Sequence, residues 1–283
     1  MNTIPYELKR KTGIILVLTS ALMFSSAGVF TKGVTADAWA VIFWRGLAAA
    51  IFTVSYMLMR GNLRKEMALF HGPAVAVTIV MALGTVAFIP AFKLTSIANV
   101  TLIYAAAPFV TATLAFVFIN EKPARSVLIA SCAAFGGVGV IVAGSVDAGN
   151  LTGDLLAFWM TLMMSAAMVI YRCWPETTAA LPAAISSVLL LPVALFFGNP
   201  LSAPVSELPT LALFGLIFAV ASVTLSEGAR RLPSAETALL SALETPLAPA
   251  LAFFVLSELP AKTTVLGGIM IFASVLWSQR VER

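Results

Sequence analysis

The sequence predicts an all-α integral membrane protein with ten transmembrane helices in a five-plus-five inverted-topology repeat. Three observations predict it. Apolar residues are 60% of the 283 positions and charged residues 11%, and mean hydropathy is +0.99. A soluble domain is nearer roughly 45–50% apolar and about 25% charged, so the solvent for so much apolar surface must be lipid. Ten apolar runs approach the ~20 residues a helix needs to cross hydrocarbon. Finally, two stretches of the first half recur in the second at nearly constant offset.

The chain opens with a polar tail, residues 1–12, that ends in Lys9-Arg10-Lys11. No small-x-small cleavage site follows before the second span, so the first span is expected to remain as a signal anchor. The expected spans are 13–32, 38–59, 72–93, 97–119, 126–144, 153–173, 181–198, 208–229, 234–256 and 263–279. Short connections separate them, several with turn chemistry, as at Gly61-Asn62, Gly149-Asn150, Asn199-Pro200 and Lys122-Pro123. None of the runs alternates with the period of two that a membrane β-barrel strand requires.

Basic residues orient the spans. With the N-terminus inside, thirteen lysines and arginines fall in cytoplasmic segments. Only Lys32, Lys93 and Lys262 fall opposite, and Arg45 lies within a span. That bias predicts both termini in the cytoplasm. The net charge of +4 therefore reports membrane topology and not nucleic-acid binding. Cys132 and Cys173 both fall in spans and predict neither a disulfide framework nor a metal site.

At an offset of 138, Leu94, Ser96, Leu102, Pro108, Ala112, Phe116 and Val117 meet Leu232, Ser234, Leu240, Pro246, Ala250, Phe254 and Val255. After one deletion, the Glu-x-Pro at Glu121–Pro123 meets the one at Glu258–Pro260. At an offset of 140, Gly13, Leu16, Leu22, Met23, Ser25, Ala27 and Val29 meet Gly153, Leu156, Leu162, Met163, Ser165, Ala167 and Val169. The first span thus matches the sixth and the fourth the ninth, giving repeats over 13–144 and 153–280. Five spans per copy is odd, so the second copy enters the membrane from the other side. Many secondary transporters are built this way, with the substrate site near the midplane.

The segments LPSAETALLSALETPLAPALAFFVLSELP and AFKLTSIANVTLIYAAAPFVTATLAFVFINEKP, with the arginine of FWRG at Phe43–Gly46, resemble EamA-type members of the drug/metabolite transporter superfamily. The resemblance covers nearly the whole chain. It implies a compact helical bundle that moves small metabolites across the bacterial inner membrane through a central cavity. Where the second half has Glu244, the first has Ala106, so the two copies differ at the carboxylate.

Glu244 is the foremost candidate, because a carboxylate in hydrocarbon costs roughly 2.5–3.5 kcal/mol on the mildest scale. Thr237, Ser241, Glu244 and Ala248 share one helical face, which suits proton coupling or a substrate amine. The bland alternative is a carboxyl that ties two helices together. The twin stripe is Thr101, Tyr104, Pro108 and Thr111, where Tyr104 offers a ring and a hydroxyl. Pro108 and Pro246 are expected to bend their helices. Arg45, about seven residues into the second span, either pairs with an acid or a substrate carboxylate or snorkels to the outer interface. Trp159, with Ser25, Ser26 and Ser165, is a candidate to line the pathway.

Other features have plainer readings. Glu227 and Arg230 read as a helical ion pair, and Asn99 and Glu236, near helix starts, read equally as caps or as ligands. Trp39, Trp44, Trp174 and Trp277 read as interfacial aromatics. Gly136, Gly137, Gly139, Gly267 and Gly268 read as close helix packing or as the seam of a homodimer. His71 is the single histidine, and GGVGV at Gly136–Val140 lies inside a span, so neither a metal site nor a phosphate loop is predicted. No cofactor is expected. The partners expected are a small metabolite, protons or a counter-substrate, and the bilayer.

The functional reading is a secondary transporter of a small metabolite, with an amino acid or similar zwitterion as cargo. The alternative cargo is a heteroaromatic vitamin such as riboflavin stacked on Tyr104 and Trp159. An intramembrane enzyme is more remote, since only Glu244 with Arg45 would serve it. A purely structural or sensory membrane protein is the third class, disfavoured by the buried proline and carboxylate positions.

Overall fold

The computed structural model describes residues 6–120, 125–147, 149–174, 176–229, 231, 240–241 and 243–281. Their regular structure is helical. The helices are α1 (Tyr6–Ser25), α2 (Ala27–Lys32), α3 (Ala38–Met59), α4 (Leu63–Ala68), α5 (Gly72–Leu94), α6 (Ile97–Tyr104) and α7 (Ala107–Ile119). They continue with α8 (Arg125–Asp147), α9 (Leu151–Cys173), α10 (Ala180–Phe197), α11 (Leu208–Ala229), α12 (Glu244–Leu256) and α13 (Lys262–Val281). Seven stretches are long and apolar enough to cross a membrane: Arg10–Lys32, Ala38–Met59, Gly72–Leu94, Ile97–Ile119, Leu151–Tyr171, Ala180–Phe197 and Val205–Leu225. Three shorter apolar helical stretches, Leu128–Gly144, Glu244–Leu256 and Lys262–Ser274, fall on the fifth, ninth and tenth expected spans.

Two expected continuous spans are broken, and for different reasons. Between α1 and α2, the hydroxyls of Ser25 and Ser26 donate to the carbonyls of Leu22 and Met23 at 2.7 and 2.6 Å. Such back-bonding competes with the helical ladder and bends it. Between α6 and α7, Ala105 and Ala106 form a turn, and the Ala106 N–H donates to the Ile103 carbonyl at 3.1 Å.

The second break recurs. α7 and α12 are both 13 residues long. Each follows a turn, at Ala105–Ala106 and at Leu243, and each carries its proline, Pro108 or Pro246, in the first turn. Each is followed by a left-handed residue, Asn120 at φ 53° and Ser257 at φ 54°, and no other described non-glycine residue has positive φ. The expected bends at the prolines are therefore starts of half-helices. A first-turn proline lacks only an N–H that would have no helical partner, and the left-handed residue closes the last turn.

Contacts divide the chain into two compact units, Met1–Phe70 with Thr178–Leu251, and His71–Thr177 with Ala252–Arg283. Neither unit is one sequence repeat. In the first unit α11 packs on α1 and α3, and α10 on α3; in the second α5 packs on α9, and α8 on α13. Every one of these pairs joins a helix of the first repeat to one of the second. Exchanging the repeats maps α1·α11 onto α9·α5, and maps α3·α10 and α8·α13 onto themselves.

Two loop carboxylates follow the same exchange. Glu207, before α11, accepts from the Thr35 N–H at 2.8 Å, the Thr35 hydroxyl at 2.7 Å and the Ala36 N–H at 3.0 Å. Glu66, in α4, accepts from the Leu181 N–H at the start of α10 at 3.1 Å. Each acid occupies orphan donors at or just before the start of a helix of the other repeat, where the backbone end is electropositive.

The glycines expected at helix contacts are used within the chain at α8·α13. A Cβ on Gly267 would lie 2.4 Å from the Gly137 carbonyl oxygen, and one on Gly137 would lie 2.7 Å from the Gly267 carbonyl oxygen. Gly139 meets nothing within 4 Å. We expect Gly267→Ala to cost about 1–3 kcal/mol through overpacking. Gly139→Ala should be neutral or gain up to ~1 kcal/mol from helix propensity. Thermal unfolding of the two variants in detergent checks the pair.

Candidate functional site

Arg45 stands at the eighth position of α3, about 11 Å along the helix from its start at ~1.5 Å per residue. Gly215 is what brings α11 there. A Cβ at Gly215 would lie 2.6 Å from both the Arg45 carbonyl oxygen and the Ala48 Cβ, so only glycine allows this approach. One residue before it and three after it on α11, Phe214 and Phe218 face the guanidinium, with ring centroids 5.4 and 4.4 Å from its carbon. Phe30 stacks on Phe214 at 5.4 Å, and Phe24 meets Phe218 edge-on at 5.7 Å.

The guanidinium does not snorkel: Arg45 is 1% exposed. Among the described residues its Nε and Nη1 atoms have no hydrogen-bond partner. Cation–π attraction of ~2 kcal/mol when desolvated falls short of the several kcal/mol that burying an ion costs after relaxation. Two unused donors in an aromatic enclosure are the arrangement that an incoming carboxylate would complete.

In the other unit the structure brings together a set that the sequence reading missed. Asp154, in the first turn of α9, is 0% exposed. It accepts from the Thr95 hydroxyl at 2.6 Å and from the Asn99 amide at 3.0 and 3.1 Å. The Asn99 carbonyl oxygen in turn accepts from the Thr264 hydroxyl at 2.6 Å. Glu258 accepts from the Ile97 N–H at 2.6 Å. The N-cap of α6 is Ser96, whose hydroxyl accepts from the Asn99 N–H at 3.0 Å, while the Asn99 side chain links α6, α9 and α13. This network fixes the start of the broken α6–α7 pair. An acid at a helix start reads as an ordinary dipole partner, so only its pairing with Thr95 and Asn99, far away in sequence, marks it.

The remaining candidates divide between the units. Ser165 is buried and donates to the Ala107 carbonyl at 3.3 Å, tying α9 to the α6/α7 break. Thr101 is buried and returns its hydroxyl to the Ile97 carbonyl at 2.9 Å, within its own helix. Tyr104 is half-buried as the last residue of α6, and the Thr111 hydroxyl is buried without a partner among the described residues. Ser25 is fully buried at the α1/α2 break. Trp159 is 44% exposed on α9.

Glu244 opens α12, half-buried, and forms no hydrogen bond or ion pair among the described residues. Ser241 is half-buried one turn before it. Thr237 and Glu236 lie outside the described residues. Arg230, the expected ion-pair partner of Glu227, lies outside the described residues; Arg231 Nη1 meets Glu227 Oε2 at 2.6 Å.

The model of the EamA-like transporter family matches residues 11–143 and again 151–279. In fold, 23 chains of solved structures match. One of them, a crystal structure, superposes with a TM-score of 0.68 at 16% identity over 96% of this chain and 97% of that one. No curated protein matches the chain. One family model fits each sequence repeat in turn. The chain belongs to the EamA-like transporter family and is a multi-pass membrane transporter built from two repeats.

Proposed function

We propose that the protein is a secondary active transporter that moves an amino acid or similar zwitterion across the inner membrane by alternating access. All ten expected spans cross the bilayer in this reading, and both termini are cytoplasmic. The inverted repeat supplies the means, because two packings related by exchange of the repeats expose one site first to one side and then to the other. Arg45 carries the choice of substrate class. A guanidinium held in a desolvated aromatic enclosure with two donors unused is matched by a carboxylate, which it can bind through paired N–H bonds. Glu244, at the start of a half-helix, is the partner for a proton or for the substrate amine.

The test is counterflow with purified protein in proteoliposomes preloaded with single amino acids. The expected result is accumulation of labelled substrate for a subset of the panel, inhibited by the matching unlabelled compound. Exchange of cationic or neutral solutes alone would remove the zwitterion reading.

A further inference from the structure

We infer that the first unit carries a separate subsite for a primary ammonium group, in the cavity enclosed by α3, α4, α10 and α11. The cavity is about 50 Å³ and is lined by Thr53, Tyr56, Asn62, Glu66, Ser222 and Glu227, among others. One water needs roughly 10–15 Å³ on the same measure, so the space admits a compact head group. The polar groups come from α3, α4 and α11, while alanines at the start of α10 form an apolar wall. All of its residues lie beyond Arg45 toward the opposite end of α3, the end that the basic-residue bias puts in the cytoplasm.

Thr53 is the observation that points to a ligand. Several helical threonines return their hydroxyls to the carbonyl four residues back: Thr78 to Ala74, Thr113 to Phe109, Thr161 to Ala157 and Thr224 to Val220, at 2.8–2.9 Å. Thr53 is 5% exposed, yet its hydroxyl makes neither that bond nor any other among the described residues, and it lines the cavity. The Tyr56 hydroxyl and the Asn62 side chain are likewise without partners among the described residues, and both line it too. Glu66 gives one oxygen, Oε2, to the Leu181 N–H at 3.1 Å, which leaves Oε1 unengaged among the described residues.

An ammonium group has three N–H donors, no acceptor and a positive charge. It needs several acceptors converging on a small volume and a carboxylate to balance it, and this wall provides both. Glu227 adds a second carboxylate, held at its edge by Arg231. A quaternary amine, with no N–H to give, would leave the same acceptors unsatisfied. The claim concerns binding and stands apart from the transport reading: counterflow can fail while the subsite holds, and the reverse.

Scintillation-proximity binding of labelled methylammonium to the full chain in nanodiscs tests it. Saturable binding is expected, displaced by unlabelled methylammonium and not by tetramethylammonium at equal concentration. Thr53→Val, which keeps the shape, and Glu66→Gln, which keeps an acceptor for Leu181, should each weaken binding tenfold or more without lowering the unfolding temperature. No saturable signal, equal displacement by tetramethylammonium or by sodium, or unchanged binding in Thr53→Val would overturn the subsite.

Discussion

Replacing Arg45 by methionine is expected to abolish substrate exchange while leaving the protein as stable as before or more so. The two effects have one cause. Arg45 is buried with Nε and Nη1 unpartnered, and a buried charge without full compensation weakens the fold. Swapping buried charges for apolar groups of similar volume is often neutral or gains about 1–4 kcal/mol. Methionine fills much of the same space between Phe214 and Phe218 and asks for no hydrogen bonds. A residue kept for stability alone would therefore lose nothing on this change. Losing the carboxylate partner from a desolvated pair costs about 2–5 kcal/mol, a fall in affinity of roughly 30-fold or more. Unfolding temperature and counterflow rate, measured on one preparation, separate the two effects. A clear drop in stability with exchange intact would make Arg45 structural.

Glu244→Gln is expected to uncouple transport. Glutamine has the same shape and keeps hydrogen-bonding capacity, but it cannot take up and release a proton. Uptake driven by a pH gradient should fall to background. Exchange of substrate against substrate, which needs no net proton movement, should persist unless Glu244 also holds the substrate amine. Uptake measured across a series of external pH values distinguishes these cases. A variant with the pH dependence of the unaltered protein removes Glu244 from the mechanism. Glu244 lies in the first turn of α12, directly after the turn at Leu243, so the substitution leaves the helix ladder in place.

The membrane class, the repeats and the helical segments were legible because composition and hydrophobic run length act over many residues at once. The matched prolines were also legible as positions, but not as what they do. Pro108 and Pro246 look like kinks within continuous spans, whereas the chain breaks before each of them and restarts. What decides this is the turn at Ala105–Ala106, and alanine carries no turn signal. The break at Ser26 was hidden for a related reason. Whether a serine hydroxyl bonds back to its own helix is a local choice that the residue type alone does not dictate.

The candidate site was legible residue by residue and illegible as an assembly. Arg45 drew notice as a charge in an apolar run, but its enclosure depends on Phe214 and Phe218, far along the chain, and on the space that Gly215 leaves. Asp154 escaped because its partners Thr95, Asn99 and Thr264 come from three separate segments. Trp159 drew notice by its depth in the span, and the residue is 44% exposed on α9. The compact units were not legible at all, since each pairs helices from both repeats.

The central claim is that a zwitterion's carboxylate meets Arg45 during transport. Its most direct test is counterflow inhibition by a series built on one cargo: the amino acid, its amide and methyl ester without the carboxylate, and its N-acetyl form without the amine. The account predicts that the amide and ester fail to inhibit the unaltered protein at concentrations where the amino acid does, and that Arg45→Met shows no exchange. Equal inhibition by the amino acid and its amide, or exchange that survives in Arg45→Met, would contradict it.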